Sequence, residues 1–349
     1  MPNTQADPSS HLIPGPLMIG VAGHELSPGE QQALQHPWVS GVTLFKRNFA
    51  SRQQVTALCA AIRSSRPGPL LIAVDHEGGR VQRFHDDFTR LPALGRYGEH
   101  YRDEPQRALD HAYRHARVTA GELLACGIDL AFAPVMDLNR GSDVIGDRSF
   151  SAQHDVVTAL SRAFLAGLSD GGMASVGKHF PGHGSVKADS HHHLVCDERP
   201  WDALAEDLQP FRELSGQLDA VMMAHVSYPQ VDAQAAGFSR RWIHNILRQE
   251  LKFEGVVISD DLGMAGAAEA GDLFARLQLA LDAGGDIALI CDADESQSLL
   301  AAIGDTPLTH DASAAVARLA GRQRPDLAEY ELVSEWRQWR KHLEALAHV

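Results

Sequence analysis

The sequence predicts a (β/α)8 barrel, and three observations predict it. Eight short apolar runs rich in β-branched residues recur along the chain, longer amphipathic stretches separate them, and polar residues follow the end of run after run. Runs that are apolar on both faces suit parallel strands covered by helices. Eight such units with helical crossovers close most simply into a barrel. A doubly wound sheet is the alternative fold. Against it, the first turn after a strand, GVAGHELS (20–27), lacks the dinucleotide-binding glycine pattern.

The expected strands are Leu17–Ala22, Gly41–Phe45, Leu70–Val74, Leu130–Val135, Ala174–Gly177, Ala220–Ala224, Val256–Ser259 and Ile287–Ile290. Amphipathic periodicity places helices over Arg52–Ser65, Gln106–Cys126, Asp155–Gly171, Asp202–Leu214, Arg240–Leu251 and Leu273–Ala283. The first crossover has room only for a short helix around Pro28–His36. No linker or low-complexity segment interrupts the pattern. One barrel domain is therefore expected over 1–349, with its core at about 14–305 and extra helices packed on it at about 310–346.

Composition narrows the function classes. The chain has 349 residues, is 44% hydrophobic and carries a formal net charge of −14. It can bury a large core, and its acidity argues against nucleic-acid or anionic-membrane partners. The opening residues MPNTQADPSSHLIPGP have no basic start and no apolar centre, so no signal peptide is expected. No stretch reaches membrane-spanning length, and the cytoplasm is the natural compartment. Cys59, Cys126, Cys196 and Cys291 show no CxxC spacing, and three of them read as reduced core residues. A small-molecule substrate is expected, with a monomer as the simplest assembly.

Chemistry should collect where the strands end, since barrel sites form at that face. The second run ends in Lys46-Arg47-Asn48, and the third in Asp75-His76-Glu77-Gly78-Gly79-Arg80, then Arg83. Asp137 and Arg148 follow the fourth, His225 the sixth, and Asp260-Asp261 the seventh. Clustered charges destabilise a fold unless they are paired, so their convergence points to a site. Asp260, after VVIS, is expected to point into the barrel mouth, and a helix N-cap is the bland alternative for this pair of acids. Asp75 has the same placement, followed by glycines that let backbone approach a ligand. Arg83 and Arg148 read either as its ion-pair partners or as planar donors for a sugar or carboxylate.

The fifth run opens into KHFPGHGSVKADSHHH (178–193), whose composition suits a functional loop rather than a packed element. Metal binding is disfavoured there. Pro181 and Gly182 separate His179 from His183, so they are not a helical pair, and three consecutive histidines cannot all face one ion. Asp189 and His191, two apart in extended chain, share a side and would suit a dyad in which carboxylate orients imidazole for proton transfer. Solvated loop polarity is the alternative.

Four motifs, KHFPGHG with ADSH, ISDDLGM, VDHEGGRVQRF and GVTLFKRN, together resemble the glycoside hydrolase family 3 β-N-acetylglucosaminidases, specifically the single-domain bacterial β-hexosaminidases of peptidoglycan recycling. The resemblance runs from about Gly41 to Met264. It implies Asp260 as the nucleophile, His191 as general acid/base and Asp189 as its partner. It also implies that Asp75, Arg83, Arg148, Lys178 and His179 bind the terminal N-acetylglucosamine, with no metal and no cofactor. Retaining hydrolysis ordinarily uses two carboxyl groups about 5–5.5 Å apart; here a histidine, with an ordinary pKa of about 6.5, would take the second role. Two departures stand out: Leu194-Val195 where the family often has proline, and the extra imidazoles His192 and His193 beside His191. Other readings of the same residues are a β-N-acetylglucosaminide phosphorylase, a metal-dependent barrel hydrolase or deaminase, and a sugar-binding protein without turnover.

Overall fold

The structure, a computed structural model, describes residues 13–186, 195–326, 328 and 332–348. Eight parallel strands form its centre: β1 (Leu17–Gly20), β2 (Val39–Leu44), β3 (Leu71–Val74), β4 (Leu130–Ala131), β5 (Val176–Phe180), β6 (Ala220–Met223), β7 (Val256–Asp261) and β8 (Ile287–Ile290). Their hydrogen-bonded order is β4-β3-β2-β1-β8-β7-β6-β5. The two outer strands of that order meet through the bridges Leu130↔Ala174 and Val135↔Lys178, which close the barrel. The seam is short because Pro134 has no N–H to give a ladder, so β4 spans two residues where six were expected. Three backbone bonds, Val176 N to Ala133 O, Lys178 N to Pro134 O and Met136 N to Lys178 O, hold it.

Helices follow each strand: α1 (Pro28–Ala33), α2 (Arg52–Ser64), α3 (Pro105–Ala125), α4 (His154–Asp170), α5 (Gln209–Leu214), α6 (Arg241–Glu250), α7 (Leu273–Ala283) and α8 (Ala293–Ile303). The helix expected over Asp202–Leu214 is instead two short pieces, Trp201–Leu204 and α5, parted around Pro210 at the second residue of α5. Proline fits a helix's first turn and interrupts its interior. α8, which the periodicity did not single out, is capped by Asp292, whose carboxylate accepts from the Asp294 and Glu295 amides. No helix among the described residues is long and apolar enough to cross a membrane.

The strand period of two divides the core into two layers. Leu71 and Ala73, Val176, Ala220 and Met222, Val256 and Ile258, and Ile287 and Leu289 fill the barrel interior. Their neighbours Ile72, Val74, Val221, Val257 and Ala288 face the helices. Continuing the inward phase by one step places Asp75 after β3, Lys178 on β5, Asp260 on β7 and Cys291 after β8. That uppermost layer opens on the cavity described below. Below the barrel, α9 (Ser313–Leu319) inserts Ala315, Val316 and Leu319 as a plug against the interior residues. Asp129 ties the same end together, accepting from Ile72 N, Gly321 N, Arg63 and Arg324. α10 (Ser334–Ala347) lies on α3, where a side chain at Gly121 would collide with the Trp336 ring.

Cysteine placement differs from the sequence expectation: Cys59 and Cys126 are buried, whereas Cys196 is exposed and Cys291 half-buried. Cys291 ends β8 at the mouth, and Cys196 lies on the short ribbon strand Val195–Cys196, so neither belongs to the core.

Two histidines are sealed in neutral form beneath the third loop. His76 is packed beside the rings of Phe84 and Phe88, and the Nδ1 of His115 meets the hydroxyl of Tyr97 at 2.9 Å. Burial pushes both imidazoles down, each to about 3. Between that value and the unfolded value of about 6.5 the unfolded chain binds more protons, so stability is full above that window and falls as pH drops through it. Denaturant unfolding between pH 7 and 4 should show this slope. His76→Phe should flatten it by up to about 1.4 kcal/mol per pH unit, one proton's worth; an unchanged slope would contradict the neutral buried imidazole.

Candidate active site

The cavity at the C-terminal ends of the strands holds about 650 Å³, within the range of about 300–1,000 Å³ common for small-molecule sites. Its apolar floor includes Phe132, Met222 and Leu289. One wall is a five-member charge network centred on Lys178. The Lys178 ammonium, 2% exposed, contacts Asp75 Oδ1 at 2.8 Å and Glu77 Oε1 at 2.6 Å. Asp75 Oδ2 also accepts from Arg83 at 3.0 Å. Arg148 grips Glu77 with Nε and Nη2, both at 2.8 Å. This is the planar two-point geometry a guanidinium favours. Arg148 is therefore the partner of Glu77, not of Asp75 as the sequence reading had allowed.

Burial alone would push the Asp75 carboxyl up, but Lys178 and Arg83 hold it well below the usual carboxylate range. Glu77 is lowered in the same way by Lys178 and Arg148, against its own burial. Conversely, burial opposes the charge on Lys178, and the two carboxylates raise its pKa. Asp75, Glu77 and Lys178 are thus held in their charged forms. Asp75 and Glu77 against Lys178, Arg83 and Arg148 leave one positive charge in excess on this wall.

Lys178 and His179 are adjacent, yet both line the cavity. Successive residues of a regular strand point to opposite faces. Here the register against β6 shifts between Lys178 and Phe180, and such a bulge re-aims a side chain. Asp137, 1% exposed, then fixes the turn that follows. It accepts from the His179 and His183 amides, at 3.2 and 2.7 Å, and from His179 Nδ1 at 2.7 Å. A carboxylate accepts only, so Nδ1 carries the proton and the ring orientation is set. Burial lowers the His183 pKa, helped by His179 and opposed by Asp137.

The facing wall is the end of β7. Its register against β8 shifts between Ile258 and Asp261, and both Asp260 and Asp261 reach the cavity. The two acids have different surroundings. Asp261 Oδ1 accepts from the Gly263 and Cys291 amides at 3.0 and 3.1 Å, bracing the turn and tying β7 to β8. Burial raises its pKa, with a further push from Asp260. The Asp260 carboxylate accepts only from the Asp261 amide, at 2.8 Å, among the described residues, and has no cation of its own there. The bland reading of the pair, a turn cap, is thus taken by Asp261. Behind both acids sits His225, fully buried against Phe238, its pKa lowered by burial.

The structure brings together Asp75, Arg83, Arg148, Lys178, His179 and Asp260. The other two sequence candidates, Asp189 and His191, lie outside the described residues. Glu77 and Asp137 were noted at strand ends but not selected from sequence. Glu77 stands two residues after Asp75 in extended chain, and the same alternation that selects Asp75 selects it too. Asp137 gives no such signal, because its role is to hold backbone amides 42 and 46 residues away.

Three comparisons bear on this site. The family model for the glycosyl hydrolase family 3 N terminal domain matches residues 17–320. The β-hexosaminidase of Bordetella avium is 53% identical over 303 residues, covering 85% of this chain and 87% of that protein. The β-hexosaminidase of Thiobacillus denitrificans is 48% identical over 338 residues, 96% and 93% of the two chains. Among solved structures, NagZ from Neisseria gonorrhoeae in complex with N-trifluoroacetyl-D-glucosamine superposes with a TM-score of 0.90 at 41% identity, covering 97% of this chain and 99% of that one. With a closed parallel barrel and a polar cavity at its strand ends, the chain belongs to glycosyl hydrolase family 3 and is a glycoside hydrolase of the bacterial β-N-acetylglucosaminidase type.

Proposed function

We propose that this chain is a retaining exo-β-N-acetylglucosaminidase that works without metal or cofactor. It removes terminal β-1,4-linked N-acetylglucosamine from peptidoglycan fragments, the GlcNAc-1,6-anhydroMurNAc units and their peptides, during cell-wall recycling in the cytoplasm. One observation carries the reading. Among the described residues Asp260 is a carboxylate without a cation of its own, and it shares a cavity with a wall of fixed, ionised donors and acceptors. A carboxylate held in an ion pair would be a poor nucleophile; one left uncommitted can attack.

In this mechanism the wall binds the non-reducing sugar. Asp75 accepts from sugar hydroxyls, and Arg83, Arg148 and Lys178 donate to sugar oxygens through protons not spent on their carboxylates. His179, its ring set by Asp137, offers the other ring nitrogen. The ion pairs are made before the sugar arrives, so little reorganisation accompanies binding. Asp260 attacks the anomeric carbon and the bond to the leaving oxygen breaks, giving a covalent glycosyl-enzyme. His191, oriented by Asp189, protonates the departing oxygen, then takes a proton from the water that cleaves the intermediate. The amino-sugar ligand held by the Neisseria gonorrhoeae relative supports the choice of sugar.

Asp260→Ala should lower kcat/KM on an aryl β-GlcNAc by about 10³-fold or more, the scale of losing a nucleophile. A 5-fluoro GlcNAc analogue should label the Asp260 peptide, as read by mass spectrometry. Wild-type turnover in Asp260→Ala, or label elsewhere, would overturn the mechanism. Product analysis in phosphate buffer belongs to the same experiment: GlcNAc 1-phosphate as the main product would replace hydrolysis by phosphorolysis.

Lys178→Met leaves Asp75 and Glu77 facing each other without the cation between them. It should destabilise the fold by about 3–5 kcal/mol, the usual cost of stranding buried charge, and should cut kcat/KM on aryl β-GlcNAc. Adding Asp75→Asn should recover part of the stability and none of the activity. Full stability of the single variant in denaturant unfolding would show that the network is not coupled in this way.

A further inference from the structure

Residues 187–194, which carry the proposed acid/base, leave and rejoin the described chain at two anchored points. On the leaving side, Gly182 O accepts the Tyr228 hydroxyl at 2.6 Å, and Gly184 O accepts the Arg140 and Ser142 amides at 3.1 and 3.2 Å. Both glycines are needed there. A Cβ at Gly182 would stand 2.8 Å from Asp207 Cβ, and one at Gly184 would stand 1.6 Å from Leu138 O. On the rejoining side, Val195 and Cys196 pair in parallel with Val226 and Ser227, and Asp197 N reaches Ser227 O at 2.8 Å.

One side chain joins the two anchors. Arg199 donates to Asp197 through Nε at 2.9 Å and Nη2 at 2.7 Å, and to Asp207 Oδ2 through Nη1 at 2.9 Å. Asp197 directly follows the rejoining strand and is tied to Ser227, and Asp207 is the surface against which Gly182 rests. Both carboxylates are buried, at 4% and 2% exposed. The nearby Arg140 is engaged by Glu206, so a single guanidinium serves both. A lysine cannot reproduce this fork of donors.

We propose that Arg199 is a positioning residue for the proton-transfer step. It holds the chain after residues 187–194 to the shelf that supports the chain before them, and so fixes the separation of the two ends. Fixing both ends of a segment restricts the volume its middle can sample, and proton transfer to a leaving oxygen demands placement within hydrogen-bond reach. This rests on the reading of His191 as the acid/base. Arg199 touches no reacting atom in it.

Leaving-group dependence separates this role from a merely structural one. In a dinitrophenyl β-GlcNAc the leaving group departs without a proton; in a chitobiose-like disaccharide it does not. Because kcat/KM reports the first chemical step, Arg199→Ala should lower it about tenfold or more on the disaccharide and leave it within about twofold on the dinitrophenyl glycoside. Equal loss on both substrates, or loss on neither, overturns the proposal. Should the alanine variant fail to fold, Arg199→Lys carries the same test, since it keeps the charge and reaches one carboxylate at a time; the same asymmetry supports the proposal, and equal loss or none overturns it. His191→Ala, assayed in parallel, distinguishes the two readings. If it lacks the asymmetry, the acid/base assignment fails, and this proposal with it; if it shows the asymmetry and the Arg199 variants do not, only the role of Arg199 fails.

Discussion

A lysine ammonium buried between two carboxylates is the constraint from which the rest of the site follows. Taking Lys178, Asp75 and Glu77 out of water is expensive, and the expense is offset only when each charge has well-placed partners. Arg83 and Arg148 supply the remaining partners, so five side chains from three βα segments must be correct at once. Lys178 is the member shared by both carboxylates, and each arginine adds a second cation to one of them. The wall is thereby rigid before any ligand arrives, which is the condition under which polar groups discriminate best between ground and transition states.

The opposite wall is built by another rule. Asp261 carries the local structural duties, bracing its own turn and joining β7 to β8. Asp260 beside it is spared from them. Two adjacent acids of one chemistry thus divide, among the described residues, into a brace and a carboxylate with a single amide donor and no cation, and the division comes from hydrogen-bond geometry. His225, behind them, is itself buried.

Much of this was legible in the sequence because the strand period carries it. Once Leu71 and Ala73 or Val256 and Ile258 are read as inward-facing, Asp75 and Asp260 must continue the same row, and the barrel mouth follows. What the sequence hid is whatever depends on a break in that period. Lys178 and His179 both face the cavity because β5 slips register, and Asp261 joins Asp260 because β7 does. Asp137 was hidden for another reason: it acts on backbone amides distant in sequence, and no residue-type pattern encodes that. The shortness of β4 was visible in Pro134 but outweighed by the apolar run around it.

The seam between β4 and β5 has fewer backbone bonds than a full ladder, and the proposed sugar wall lies across it. Lys178 bridges to Val135 through its backbone and to Asp75 through its side chain; Asp137, past β4, holds the amides of His179 on β5 and His183 beyond it. Closure of the barrel and the proposed recognition of the sugar therefore draw on the same residues. A descendant of this sequence released from selection for catalysis would not keep an intact empty barrel. Its first losses of polar residues would also open the hem, so retirement of the enzyme and decay of its architecture would proceed together.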